Sequence, residues 1–303
     1  MSFEDSFLGK IDRKRANDQR TNREAIRDRI ELPPVVLEAH KRAEREIFSN
    51  RDYRVQAPEF ESVYGMREIM MDMQRVFRLK KQFESEATPF QQQSQIMSEV
   101  FEGILLMHSE LSNWLGEAQT LKTSIYDDYI NGTDMYAEWH SPQEGSRVLA
   151  LAVDVTFSKT SINKKLRKIR GEMDSGEMGK IRYFKDSRGD FMGTRSNVPR
   201  VVIGAYPGSI EELSKLWMAN DNKALAQHPI QRVLVEEMYG QLKGMHTYAE
   251  KRGMHTPAQA YQQALAIVEK LHKEKAGIDL GKYSDDKVMH EISAQTREVF
   301  GSK

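Results

Sequence analysis

The sequence predicts an α+β fold: a small mixed β-sheet, built in the order α-β-β-α-β, held between N- and C-terminal helical segments. Three observations carry this expectation. Apolar residues recur at helical spacing up to about residue 130, switch to period two after Asn131-Gly132, and return to helical spacing after Ser209. The segment 147–157 alternates without a break, with Leu149, Leu151, Val153, Val155 and Phe157 on one face and Val148, Ala150, Ala152, Asp154 and Thr156 on the other. From Pro229 onward every segment reads as helix.

Taken in order, residues 1–32 form a charged arm. Between Lys10 and Arg29 stand eight basic and four acidic residues with almost nothing apolar to bury, which predicts a frayed helix or a flexible segment. Pro33-Pro34 ends the arm, and Pro34 suits the first position of a helix to about Phe48. Met66, Ile69, Met70, Met73, Val76 and Phe77 predict an amphipathic core helix over 62–87; four methionines there would also suit an adaptable binding groove. A second long helix is expected from Pro89 to about Ile130, with a break near Gly103 or Gly116.

In the central unit, 131–220, strands are expected at 134–140 and 147–157, joined by the Pro/Gly loop Ser141–Ser146. A basic helix over 161–173 follows, then strands at 181–185 and 198–205. Ser209 and Glu212 have capping-box spacing and open a helix over 210–219. The helical region 221–303 divides into helices over about 229–252, from Thr256-Pro257 to Gly277, and 284–299.

Composition excludes several function classes. Lys plus Arg and Asp plus Glu are both 45 in 303 residues, so the chain is not a wholesale polycation. The absence of cysteine removes disulfides, thiolate metal sites and a Cys nucleophile. The longest purely apolar run, Val148–Val153, is far below the roughly 18 residues of a membrane span. With acids at Glu4 and Asp5 and no apolar stretch near the start, a cytoplasmic protein is expected, with no membrane partner. No Walker A loop, Gly-x-Gly-x-x-Gly, His-Glu-x-x-His or Gly-x-Ser-x-Gly occurs, and no organic cofactor is expected.

The central unit carries the chemistry. Asp154 interrupts an apolar strand, where a charge is costly unless it meets a cation, a metal or hydrogen-bond donors. Asp134, Tyr136 and Glu138 share one face of the preceding strand, so a hairpin would bring Asp134 and Glu138 toward Asp154. Three hard oxygen ligands suit Mg²⁺ or Mn²⁺. Taken singly, Asp134 also reads as the end of a turn, Glu138 as a solvent-facing strand residue and Asp154 as half of a structural ion pair. From Lys159 to Arg200 twelve basic residues face five acids, a local surplus of +7. Lys164, Lys165, Arg167, Lys168, Arg170, Lys180 and Arg182 are the candidate phosphate contacts. A solvated helix face, or docking on an acidic helical arm, explains the same charges.

This order of elements, with Asp134 and Asp154 on successive strands, resembles the core of the PD-(D/E)xK nuclease superfamily, the restriction-endonuclease-like fold, over roughly residues 100–220. The resemblance implies that Asp134 and Asp154 bind the metal, with an acid added from the preceding helix. Glu110 and Glu117, seven apart, are the candidates, and Glu117 joins Asp134, Glu138 and Asp154 in the expected ligand set. The family's motif Lys falls on Thr156, so Lys159, just past the strand, or Lys165, beside the apolar stripe of the basic helix, is expected to replace it. The reading is a Mg- or Mn-dependent nuclease, or a degenerate nuclease-like protein that binds DNA or RNA. The alternative is a non-enzymatic helical scaffold or adaptor that joins a protein partner or self-assembles through its arms.

Overall fold

The chain does pass from helix to sheet, but the sheet begins at residue 119, before Asn131, and it is the element on which the rest is hung. The computed structural model describes residues 32–141, 145–154 and 159–301; between 141 and 160 it describes the side chains of residues 147–150 only. The expectations for the arm, for strand residues 155–157 including Thr156, and for the side chains of Asp154 and Lys159 lie outside that description.

Helix α1 (Pro34–Ala43) starts on Pro34 and runs on through a π-helical turn to Phe48. Gly65, at φ 75°, breaks a short helical turn (Glu61–Tyr64) from α2 (Met66–Glu86). Helix α3 (Pro89–Leu111) opens on a complete capping box between Thr88 and Gln91. It ends about twenty residues sooner than its apolar spacing predicts. Gly103 lies within it, packed on Ala43, and Gly116, at φ 64°, sits in the turn that follows.

The remaining stretch of the expected helix contains a strand, β1 (Gln119–Lys122), and a π-helical turn (Asp127–Asn131). Strands β2 (Met135–Ser141) and β3 (Gly145–Asp154) pair antiparallel, with Met135 opposite Leu151 and Glu138 opposite Val148. Helix α4 (Lys159–Ser175) follows, then a separate hairpin, β4 (Gly179–Lys185) with β5 (Met192–Val198). Strand β6 (Arg200–Gly204) returns parallel to β3, giving the mixed order β1-β2-β3-β6. Strand β5 stands between the two strands expected at 181–185 and 198–205, where none is expected. Its residues Arg195, Ser196 and Asn197 are polar and half or fully exposed, so no apolar alternation announces it.

The sheet separates two cores. Met135, Ala137 and Leu149 face the larger one with α3, α4 and the C-terminal helices; Tyr136, Val148 and Ala150 face the smaller one with Phe60, Ile69, Ile181 and Tyr183. Helix α5 (Pro207–Met218) starts at Pro207 with no side-chain cap, and the Ser209–Glu212 spacing is not used as one. Helices α6 (Ile230–Lys251), α7 (His255–Lys275) and α8 (Lys287–Phe300) follow; α7 too lacks a side-chain cap, and Thr256 lies inside it. Helix α6 closes the open edge of β6. Gln241 accepts from the Val202 N–H at 2.9 Å and donates to its carbonyl at 2.6 Å, and Glu237 accepts from Gly204 N–H at 3.0 Å. Side chains thereby stand in for a further strand and leave no exposed pairing edge there. No described helix is long and apolar enough to cross a membrane.

Candidate carboxylate site

The end of β1 and the start of β2 are neighbours in the sheet, and an acidic cluster collects around them. Helix α3 packs on β1 and delivers Glu102, which is only 3% exposed. Lys122 ends β1 and is 4% exposed; its ammonium bonds the Glu102 carboxylate and lies 3.7 Å from Asp128. The backbone of Tyr53 and Val55 pairs with both sides of Lys122, at 2.8 and 3.0 Å, and pins the lysine from outside the sheet. The Asp128 side chain hydrogen-bonds that of Asp134. Arg54 adds a second positive charge near Lys122 and Asp128.

Three carboxyls thus crowd around the Lys122 ammonium, with Arg54 nearby, in a poorly solvated place. Burial and mutual repulsion push Glu102 and Asp128 above the ordinary carboxylate range, with Asp134 adding to both, while the three carboxylates around Lys122 hold its ammonium charged against burial. The adjacent Asp127 has a different job. Its oxygens accept from Ser124, Asn131 and the backbone N–H groups of Arg182 and Tyr183, at 2.6–3.0 Å, and so tie β4 to the turn.

Gly132 ends that turn at φ 67°, and its missing side chain leaves room for Lys168 of α4. The Lys168 ammonium bonds the Asn131 carbonyl at 2.9 Å; burial and then Arg200 lower its pKa, against the pull of Glu172 and Asp134. Lys168 is therefore the helix lysine that borders the carboxylates by geometry, where Lys165 is the one the apolar stripe favours.

The other expected site residues are scattered. Glu117 is not on the face of α3, which has already ended; it is exposed in the following turn, and Glu110 is exposed on the last turn of the helix. Glu138 is fully buried in the wall of the smaller core, where it accepts from the Ser187 N–H at 2.8 Å and lies 3.5 Å from His140. The register places position 154 opposite Gly204 at the end of β3, the end that lies beside the start of β2. Among the described residues no three His, Cys, Asp or Glu side chains form a group that could hold a metal ion.

Much of the basic surplus is already committed. Arg182 bonds Asp72 at 2.6 Å and also Glu68, and its guanidinium lies over Tyr64, Tyr126 and Tyr183. Arg170 donates to Tyr248 and to the Val299 carbonyl, both at 2.9 Å, and Arg167 meets Glu298 at 3.4 Å, so both dock on the C-terminal helices. Lys164 and Lys180 are exposed.

Glu102, Asp128, Lys122 and Arg54 do not figure among the sequence-derived candidates. Glu102 carries the same signal as Asp154, a charge inside an apolar run, Val100–Met107. Lys122 has no such signal, because β1 is four residues long. No protein-family model matches this chain, and neither a curated protein nor a solved structure matches it.

Proposed function

We propose that this chain is a metal-dependent nuclease, or a nuclease-like protein that binds nucleic acid without cutting it. One observation carries the reading. A helix, an antiparallel three-strand meander, a crossover made of a helix and a separate hairpin, and a strand parallel to the last of the three lie around a carboxylate cluster at one end of the meander. That order supports the restriction-endonuclease-like resemblance. In this reading the helix acid is Glu102 and the acid before β2 is Asp134, and position 154 ends the neighbouring strand β3.

Glu102, Asp128 and Asp134 offer the hard oxygens a divalent cation prefers, but among the described residues they do not form a three-ligand group, so a metal site here needs a further ligand from the end of β3. Mg²⁺ or Mn²⁺ there would activate water and stabilise the leaving oxygen of a phosphodiester. Lys122 serves as the internal counter-charge that keeps the acids together in its absence, and Lys168 offers a cation to a phosphate at the rim. The test is incubation of the pure protein with labelled single- and double-stranded DNA and RNA in Mn²⁺ or EDTA. Cleavage confined to Mn²⁺ and lost in Asp154→Ala with the fold retained supports the enzyme. Salt-sensitive binding that ignores the metal supports the non-cutting form. Neither result with any substrate rejects both.

A scaffold role has one observation in its favour. Met66, Met70, Met71, Phe77 and Phe83 of α2 are 41–68% exposed, where an amphipathic core helix is expected to bury its apolar stripe. In α2 only Ile69 and Val76 are buried. An oligomer or a protein complex that covers these residues, with no hydrolysis, is the outcome this second reading requires.

A further inference from the structure

A second polar groove, of about 470 Å³, lies toward the turn end of the β2–β3 hairpin, between β3, β5 and α7. Trp139, Arg147, Arg195, Asn197, Gln259 and Gln263 supply its polar and aromatic lining, and among the described residues no acid lines it. Arg147 stands opposite Trp139 in the register, five residues along β2 from Asp134. At roughly 3.3 Å per residue that separates the groove from the carboxylates by about 17 Å.

Three features suit this groove to an anion. Among the described residues two guanidiniums line it without a carboxylate, and the buried Arg147 Nε has no hydrogen-bond partner, an arrangement that leaves a charged donor unsatisfied. The first turn of α7 opens on it through Thr256. That 21-residue helix has no side-chain cap and no acid in its first turn, so its free N–H groups add positive potential. Gln259 and Gln263, four apart, lie on one face of the same helix and offer further donors. Trp139 is half-buried and anchored by its Nε1–H to the Leu115 carbonyl at 3.1 Å, which makes it a rigid aromatic wall.

We infer that the groove between β3, β5 and α7 binds a phosphate group carried by a nucleotide or by a nucleic-acid strand, with Arg147 and Arg195 as the charged contacts and Trp139 beside the ligand. This inference does not depend on the carboxylate site being hydrolytic, so an inactive carboxylate site leaves it standing.

Tryptophan fluorescence tests it directly. Of the three tryptophans, Trp114 and Trp217 are buried at 0 and 1% exposure, so a ligand-dependent change reports Trp139. The intact protein is titrated with inorganic phosphate, with a mononucleotide and with a short single-stranded DNA. Gln259→Glu places a carboxylate in the groove at an exposed position that tolerates it, and Arg147→Gln removes a contact; each is first checked for unchanged thermal melting. The expected result is a saturable, salt-sensitive change weakened at least about tenfold in both variants, the scale of one lost charge-assisted hydrogen bond. A response to phosphate and mononucleotide identifies a free-nucleotide site, and a response to the DNA alone identifies a strand contact. No response to any probe, or one that is undiminished in both variants, overturns the inference.

Discussion

The Lys122 ammonium hydrogen-bonds the Glu102 carboxylate at the buried end of β1, with an Asp128 oxygen 3.7 Å away. One cation thus stands between an acid from the helix before the sheet and an acid from the turn before β2. A cluster of this kind costs stability and has no packing purpose that apolar residues would not serve better.

Lys122→Met should be severely destabilising, because it leaves three carboxyls without their internal ammonium. Breaking a buried pair by removing one partner typically costs about 3–5 kcal/mol. Urea denaturation at neutral pH measures it, and the double variant Glu102→Gln/Lys122→Met should recover part of the loss. A cost below about 1 kcal/mol would show that Lys122 is not the counter-charge of the cluster.

Asp128→Asn should behave in the opposite way. The folded-state pKa of Asp128 is raised by burial first, despite Lys122, so the folded protein binds its proton more tightly than the unfolded chain does. Stability from this group is present at low pH and is lost as pH rises above the ordinary carboxylate value. Melting curves from pH 5 to 8 should show the wild type losing roughly 1–2 kcal/mol more than Asp128→Asn. Parallel curves for the two proteins would contradict the assignment.

Arg182→Gln should release α2 from β4, since it removes the bonds to Glu68 and Asp72 and the cation set among three tyrosines. The expected cost is about 2–4 kcal/mol. Limited proteolysis should then cut between residues 61 and 88 first; an unchanged digestion pattern counts against this role.

The basic residues of the central unit should divide into two groups. Arg170→Gln should lower stability by about 1–2 kcal/mol through its lost contacts with Tyr248 and Val299. Lys164→Glu with Lys180→Glu should change stability by less than about 1 kcal/mol, both lysines being exposed, while weakening nucleic-acid binding. Gel shifts at two salt concentrations, paired with melting curves, separate the groups. Binding that survives the double charge reversal would exclude these lysines from the interface.

The change of period at Asn131 was legible because buried strands and helices impose different spacings on apolar residues, and the β2–β3 hairpin and α4 follow from it. Strand β1 was not. Leu111, Leu115, Ala118 and Leu121 keep helical spacing across the end of α3, so a four-residue strand hides in a helix-like pattern. Strand β5 was hidden for the converse reason: its middle is polar, and pairing with β4 alone makes it a strand. The cluster at the end of β1 was half legible. Strand parity singles out Asp134 but groups it with Glu138, which lies elsewhere; Lys122 and Asp128 join Asp134 only through tertiary packing of a turn on a strand end.

The most direct test of the carboxylate site is the single-turnover rate of phosphodiester cleavage in Mn²⁺, measured for the wild type and for Asp134→Asn at matched folded fraction. A metal-dependent nuclease whose site includes Asp134 should lose at least about 100-fold in that variant, the scale on which removal of one transition-state contact is felt. Cleavage by the wild type that continues at an equal rate in Asp134→Asn would contradict the assignment of the site.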